Sequence, residues 1–128
     1  MANIEIDKLA AEITQAVQEY TKDVSKGIMK EINKTSKIVT EEITLKSPRS
    51  DGGGEYANGW TRKKNVDGGS VSYTIYNKAK PGLAHLLEKG HAKRGGGRVA
   101  GRPHIRPAYD QEVPRMEQKI KSIIRNGG

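Results

Sequence analysis

The chain has 128 residues and a mass of 14.0 kDa, enough for a single domain spanning 1–128. Leu, Ile, Val and Phe together number only 24, about 19%, against 30% charged residues and a net charge of +8. That composition borders on disorder and fits either a partly ordered chain or a subunit that gains stability from neighbours. The absence of Cys excludes a disulfide framework, a thiol nucleophile and a thiolate metal site.

Ile6, Leu9, Ile13, Val17, Tyr20, Val24, Ile28 and Ile32 recur every three or four residues, and Ile38 or Val39 and then Ile43 extend the row. This spacing predicts one long amphipathic helix over 1–46. It is expected to end near Lys46, because Ser47 precedes Pro48, and to be about 60 Å long. Gly27 offers a place for a bend. The row drifts from a strict heptad, so a helix covering a sheet is favoured over a coiled coil. No apolar run approaches the roughly 18 residues of a membrane span. The start, Met1-Ala2-Asn3-Ile4-Glu5, lacks a basic stretch followed by an apolar one, so synthesis and retention in a cytoplasm are expected.

The region 49–106 predicts a small sheet and loops. Arg49 to Gly54 is a flexible loop. Residues 59–66 and 70–77 read as a β-hairpin about the turn Asp67-Gly68-Gly69, with Val71, Tyr73 and Ile75 on one face. Trp60, the only Trp, is the expected large core side chain. After Pro81-Gly82, Leu83 to Lys89 predicts two helical turns closed by Gly90 in a left-handed cap.

Residues 91–102 form a basic, Gly-rich loop, expected to be mobile when alone. The positive charge is regional. Residues 1–46 carry 7 basic and 8 acidic side chains, whereas 89–106 carries Lys89, Lys93, Arg94, Arg98, Arg102 and Arg106 with no acid. An anionic partner is expected there. Pro103-His104-Ile105-Arg106 suggests a short edge strand, and Pro107 suits the first turn of a final helix over 107–125. Pro114 predicts a kink or restart within it.

The three histidines, His85, His91 and His104, do not have the spacing of a metal site, and no cofactor is expected. Glu88, His91 and His104 match no specific acid–base pattern, so no enzymatic activity is expected. Gly95-Gly96-Gly97 lacks the Gly-Lys-Ser/Thr of a phosphate-binding loop. Nucleic-acid binding is the stronger rival, because 89–106 has the composition of a phosphate-contacting arm. It lacks aromatic residues for stacking on single strands.

Two motifs carry a family resemblance: His85-Leu86-Leu87-Glu88-Lys89-Gly90-His91, and Pro103-His104-Ile105-Arg106-Pro107-Ala108. With the long helix, the Gly-Trp entry to the hairpin and the last helix, the chain over about 5–125 resembles the head–tail joining, or neck/tail-completion, family of long-tailed bacteriophages and prophages. One departure lies at 49–55, where Pro48 and Asp51-Gly52-Gly53-Gly54 replace the Pro and Thr-Gly pair common in the family.

The resemblance implies a non-enzymatic virion protein at the head–tail junction, present in the host cytoplasm during assembly. It implies a homo-oligomeric ring whose partners are a head-closure ring, a tail terminator or the tail tube. DNA contact is allowed but not required. Trp60, His85 through His91 and Pro103 through Pro107 carry over as structural residues, and Lys93, Arg94, Arg98, Arg102 and Arg106 are the expected interface. The expected fold is α+β: long N-terminal helix, small antiparallel sheet with a hairpin, C-terminal helix and long basic Gly-rich loop. Glu88, the lone acid beside the basic stretch, is expected to reach His91, His104 or Arg106 and tie the loop's ends together.

Overall fold

The structure, a computed structural model, describes residues 11–49 and 54–128. Ile6, Leu9 and the 50–53 part of the first loop lie outside the described residues.

The architecture is α+β, as the patterning predicts. Strands β1 (Ala11–Ala16), β2 (Trp60–Asp67) and β3 (Ser70–Asn77) form an antiparallel sheet of order β1-β3-β2. Helix α1 (Lys22–Lys46) lies between one face of that sheet and the final helix α3 (Arg106–Asn126). Short helix α2 (Ala84–Lys89) and the paired strands β4 (Gly90–Ala92) and β5 (Arg98–Ala100) connect the hairpin to α3.

The hairpin forms where predicted, with Asp67 opposite Ser70 across the Gly68-Gly69 turn. Val71, Tyr73 and Ile75 face the core together with Ala11 and Ile13 of β1. From α1, Val24, Ile28, Ile32, Val39 and Ile43 enter the same core, and α3 adds Ala108, Val113, Met116 and Ile120. Helix α1 ends at Lys46 before Ser47, as Pro48 requires, and runs unbroken through Gly27.

The single helix over 1–46 is corrected. Residues 11–16 are a strand, and the helix has 25 residues, about 38 Å. Ile13 fits both periodicities, so the local pattern cannot separate them. The long-range pairing Ile13 opposite Tyr73 and Gln15 opposite Val71 decides it, by filling one edge of β3. Thr21 marks the true helix start: its Oγ1 accepts from Val24 N–H at 3.3 Å, and Asp23 sits in the first turn.

Of the kink or restart expected at Pro114, the restart is corrected: α3 is one helix across it. Pro114 and Asp110 are both exposed, so water can take up the Asp110 carbonyl that the proline leaves without a donor.

Arg62 occupies a core-side position of β2 and fastens the hairpin to α1. Its Nη1 donates to the Asn33 carbonyl at 3.1 Å, Asn33 Oδ1 at 2.6 Å and Ser36 Oγ at 2.8 Å. The Tyr73 hydroxyl also donates to Asn33 Oδ1, at 3.1 Å, and the Arg62 guanidinium lies 5.2 Å from the Tyr73 ring centre.

Candidate functional site

The two sequence motifs meet at one buried carboxylate. Glu88 Oε1 accepts from the backbone N–H of His104 at 2.7 Å and of Ile105 at 2.8 Å, and Oε2 accepts from Arg106 N–H at 2.9 Å. These donors are at the start of α3, where no side chain of the helix's own N-cap residue, Ile105, can serve them. Glu88 therefore caps α3 from another element, with its charge on the positive end of the helix dipole. The edge strand expected over 103–106 is corrected for the same reason, since its donors bond a carboxylate and not a neighbouring strand. Pro107 stands in the first turn as expected.

His104 is fully buried. Its Nδ1 lies 2.7 Å from the Arg102 carbonyl and 3.1 Å from Glu88 Oε1. Both are acceptors, so Nδ1 carries the proton, and in the neutral ring the Tyr56 hydroxyl donates to Nε2 at 2.6 Å. Tyr56, Trp60 and His104 pack edge to face with ring centres 5.6 to 6.1 Å apart. Trp60 Nε1 donates to Ser47 Oγ at 2.8 Å, and Ser47 Oγ donates to the Ile43 carbonyl at 2.5 Å. One network thus links the end of α1, the start of β2, α2 and the start of α3. Tyr56 and Ser47 join it although no sequence motif marks them. Thr21, a capping residue ahead of the acidic Asp23, carries a signal for the start of α1 that is readable in the sequence.

Burial, and then the charge of Glu88, hold the Tyr56 phenol well above its usual pKa of 10.0. Burial, and then Glu117, raise Tyr109 in the same direction. A folded-state pKa above the unfolded one favours folding below the unfolded value, and that contribution is lost as pH climbs through the folded one. The melting temperature is therefore expected to fall as pH rises beyond 10.0, with a shallower fall in Tyr56→Phe. Equal slopes in thermal melts across that range would refute this.

Gly90 is corrected in detail. Its φ of 80° is positive as expected, but its ψ of 179° is extended, so it leads out of α2 directly into β4. The chain returns past it at Gly101, where a Cβ would lie 2.6 Å from the Glu88 carbonyl and 2.9 Å from Gly90 N. Arg102 N–H closes the base by donating to the Leu87 carbonyl at 2.7 Å.

Beyond that base the predicted loop is a ribbon. Gly90, His91 and Ala92 pair with Ala100, Val99 and Arg98. Lys93 N–H donates to the Gly97 carbonyl at 3.0 Å, extending the ladder to an Arg94-Gly95-Gly96 tip. Gly96 and Gly97 take φ of 99° and 80°, so the triple glycine serves a tight reversal. Every residue from His91 to Ala100 is exposed.

Of the predicted interface residues, Lys93, Arg94 and Arg98 project from this arm, and Arg102 is exposed at its base. Lys93, Arg94, Arg98 and Arg102 make no ion pair among the described residues, whereas Arg106 begins α3 and pairs with Asp110 at 3.6 Å. His85 and His91 are exposed and do not join His104. No group of three or more His, Asp or Glu among the described residues is placed to hold a metal.

Fold and joint together define a small α+β domain that holds a basic hairpin arm away from its body. The model of the family described as "Bacteriophage HK97-gp10, putative tail-component" matches residues 11–90, well over half of the chain. The chain belongs to this HK97-gp10-like family and is a structural component of a bacteriophage tail. Neither the curated proteins nor the solved structures contain a match.

Proposed function

We propose that the protein acts at the head–tail junction of a long-tailed phage or prophage, as a ring of identical subunits that completes the tail or joins it to the head. It works through interfaces, without catalysis. Its partners are the neighbouring ring proteins: a head-closure ring, a tail terminator or the tail tube. The observation that carries this reading is the arm. A two-stranded ribbon alone is only marginally stable in water, and this one is exposed along its whole length from His91 to Ala100. Its unpaired cations suit an acidic protein surface, on which it would become fully ordered.

Two experiments test the reading. Particles made without the protein are expected to accumulate as separate heads and tails under the electron microscope, and normally joined virions would overturn it. Replacing Lys93, Arg94, Arg98 and Arg102 by Ser is expected to abolish joining while changing stability by only about 0.5 kcal/mol, as exposed substitutions do. The rival reading, an arm that grips DNA phosphates, predicts binding to arbitrary duplex DNA with a steep salt dependence. No DNA binding at about 0.1 M salt favours the protein partner.

A further inference from the structure

We infer that the outer face of α1 is a contact surface for the phosphates of duplex DNA, resting on the reading above only for where DNA is met. Seven residues between Lys22 and Lys37 are exposed, and five of them are Lys22, Lys26, Lys30, Lys34 and Lys37. The other two are Asp23 and Asn33. The near-neutral count over 1–46 hides this face, because the helix sorts its charges by direction. At about 100° per residue the five lysines fall within a sector of about 120°. The buried Val24, Ile28, Ile32 and Val39 lie on the opposite side. Glu31, the one acid between Lys26 and Lys37, is half-buried and turned about 100° from Lys30.

None of the five makes an ion pair among the described residues. Asp23 and Glu41 are the exposed acids at the two ends of the row. The sheet side adds further cations. Arg62 brings its guanidinium to Asn33, in the middle of the row, and exposed Lys64 follows on the same face of β2. Like charges four residues apart repel, and a face that only had to stay wet would mix signs. Anions laid along the row relieve that repulsion.

DNA suits this face better than an acidic protein does. Protein interfaces bury an apolar core and are depleted in lysine, whereas no apolar side chain is exposed between Lys22 and Lys37. Phosphate contacts need only cations along the path of the strand. The row is about 22 Å long, a length over which one strand of a duplex presents about six phosphates.

Fluorescence anisotropy with a labelled duplex of arbitrary sequence tests the assignment. Contacts from four or five lysines predict a log–log salt slope of about −4, a loss of affinity of about 200-fold between about 50 and 200 mM salt. Lys26→Gln, Lys30→Gln, Lys34→Gln and Lys37→Gln together are expected to abolish binding, and Arg at the same four positions to keep it. Gln is as good a helix former as Lys and all four positions are exposed, so folding is not at stake. The chain with Ser at Lys93, Arg94, Arg98 and Arg102 is expected to bind as the native one does. Which variant loses binding, and not binding itself, separates this face from the arm. Binding lost with the arm and kept without the four lysines overturns the assignment. No binding at about 50 mM salt, or equal binding of polyglutamate, overturns it as well. If particles still join in that event, the head–tail function stands and only this face is dismissed.

Discussion

Glu88→Ala is expected to be the most damaging single substitution outside the apolar core. It removes an acceptor shared by three buried or half-buried backbone N–H groups and strips the Nδ1 side of His104 of one partner. A buried charge with this many partners costs about 3–5 kcal/mol to delete, because the donors are left unpaired. In a domain this size that corresponds to a drop of about 10–20 °C in melting temperature. Glu88→Gln keeps one oxygen but turns an amide NH₂ toward a backbone donor, so about half the loss is expected. The arm is expected to suffer as well, since the Glu88 carboxylate and the Leu87 carbonyl together hold the chain as it returns from the arm, at 104–106 and at Arg102. Faster hydrogen exchange over 90–101 in Glu88→Gln at a temperature where the body remains folded would show this. An unchanged melt for Glu88→Ala would refute the capping role.

Trp60→Ala is expected to cost a similar amount, about 3–5 kcal/mol, for a different reason. Trp60 is buried against Tyr56 and His104, so truncation leaves a cavity between β2 and the start of α3 and frees Ser47 Oγ of its donor. Trp60→Phe separates the two contributions. It keeps most of the apolar volume and loses the hydrogen bond, for about 1 kcal/mol. Urea titration by circular dichroism measures both variants. In the native protein the single Trp reports directly, with emission shifting to the red on unfolding. A Trp60→Phe loss as large as that of Trp60→Ala would place the energy in the hydrogen bond and not the packing.

Both residues were legible before the fold was known, for unequal reasons. Trp60 stood out as the one large aromatic entering a period-two strand. Glu88 stood out as the only acid in a basic segment, but its partner atoms did not. The expectation was a side-chain pairing, and the main contacts are to backbone donors of a helix sixteen to eighteen residues away. Backbone groups carry no sequence label, so a carboxylate that caps a distant helix cannot be assigned from residue types. Residues 91–102 read as a basic, glycine-rich loop from their composition, and the structure pairs them as a ribbon. Its hairpin register was not readable, because Gly-Gly-Gly and isolated arginines give no alternation to follow.

What the sequence determined by itself was local. It set the hairpin over 60–77, through alternation around a Gly-Gly turn; the end of α1, through Pro48; the start of α3, through Pro107; and the concentration of positive charge in one segment. Tertiary structure decided what depends on distant partners. Residues 11–16 became a strand because β3 offered an open edge, although their apolar spacing also suits a helix. Pro114 stayed inside a continuous helix because its side faces solvent. The loop over 91–102 became a ribbon because Glu88, Leu87 and the Gly90–Gly101 crossing bring its ends together. Spacing along a chain reports on neighbours within a turn or two, and each of these outcomes turned on a hydrogen bond or an edge contributed from much farther away.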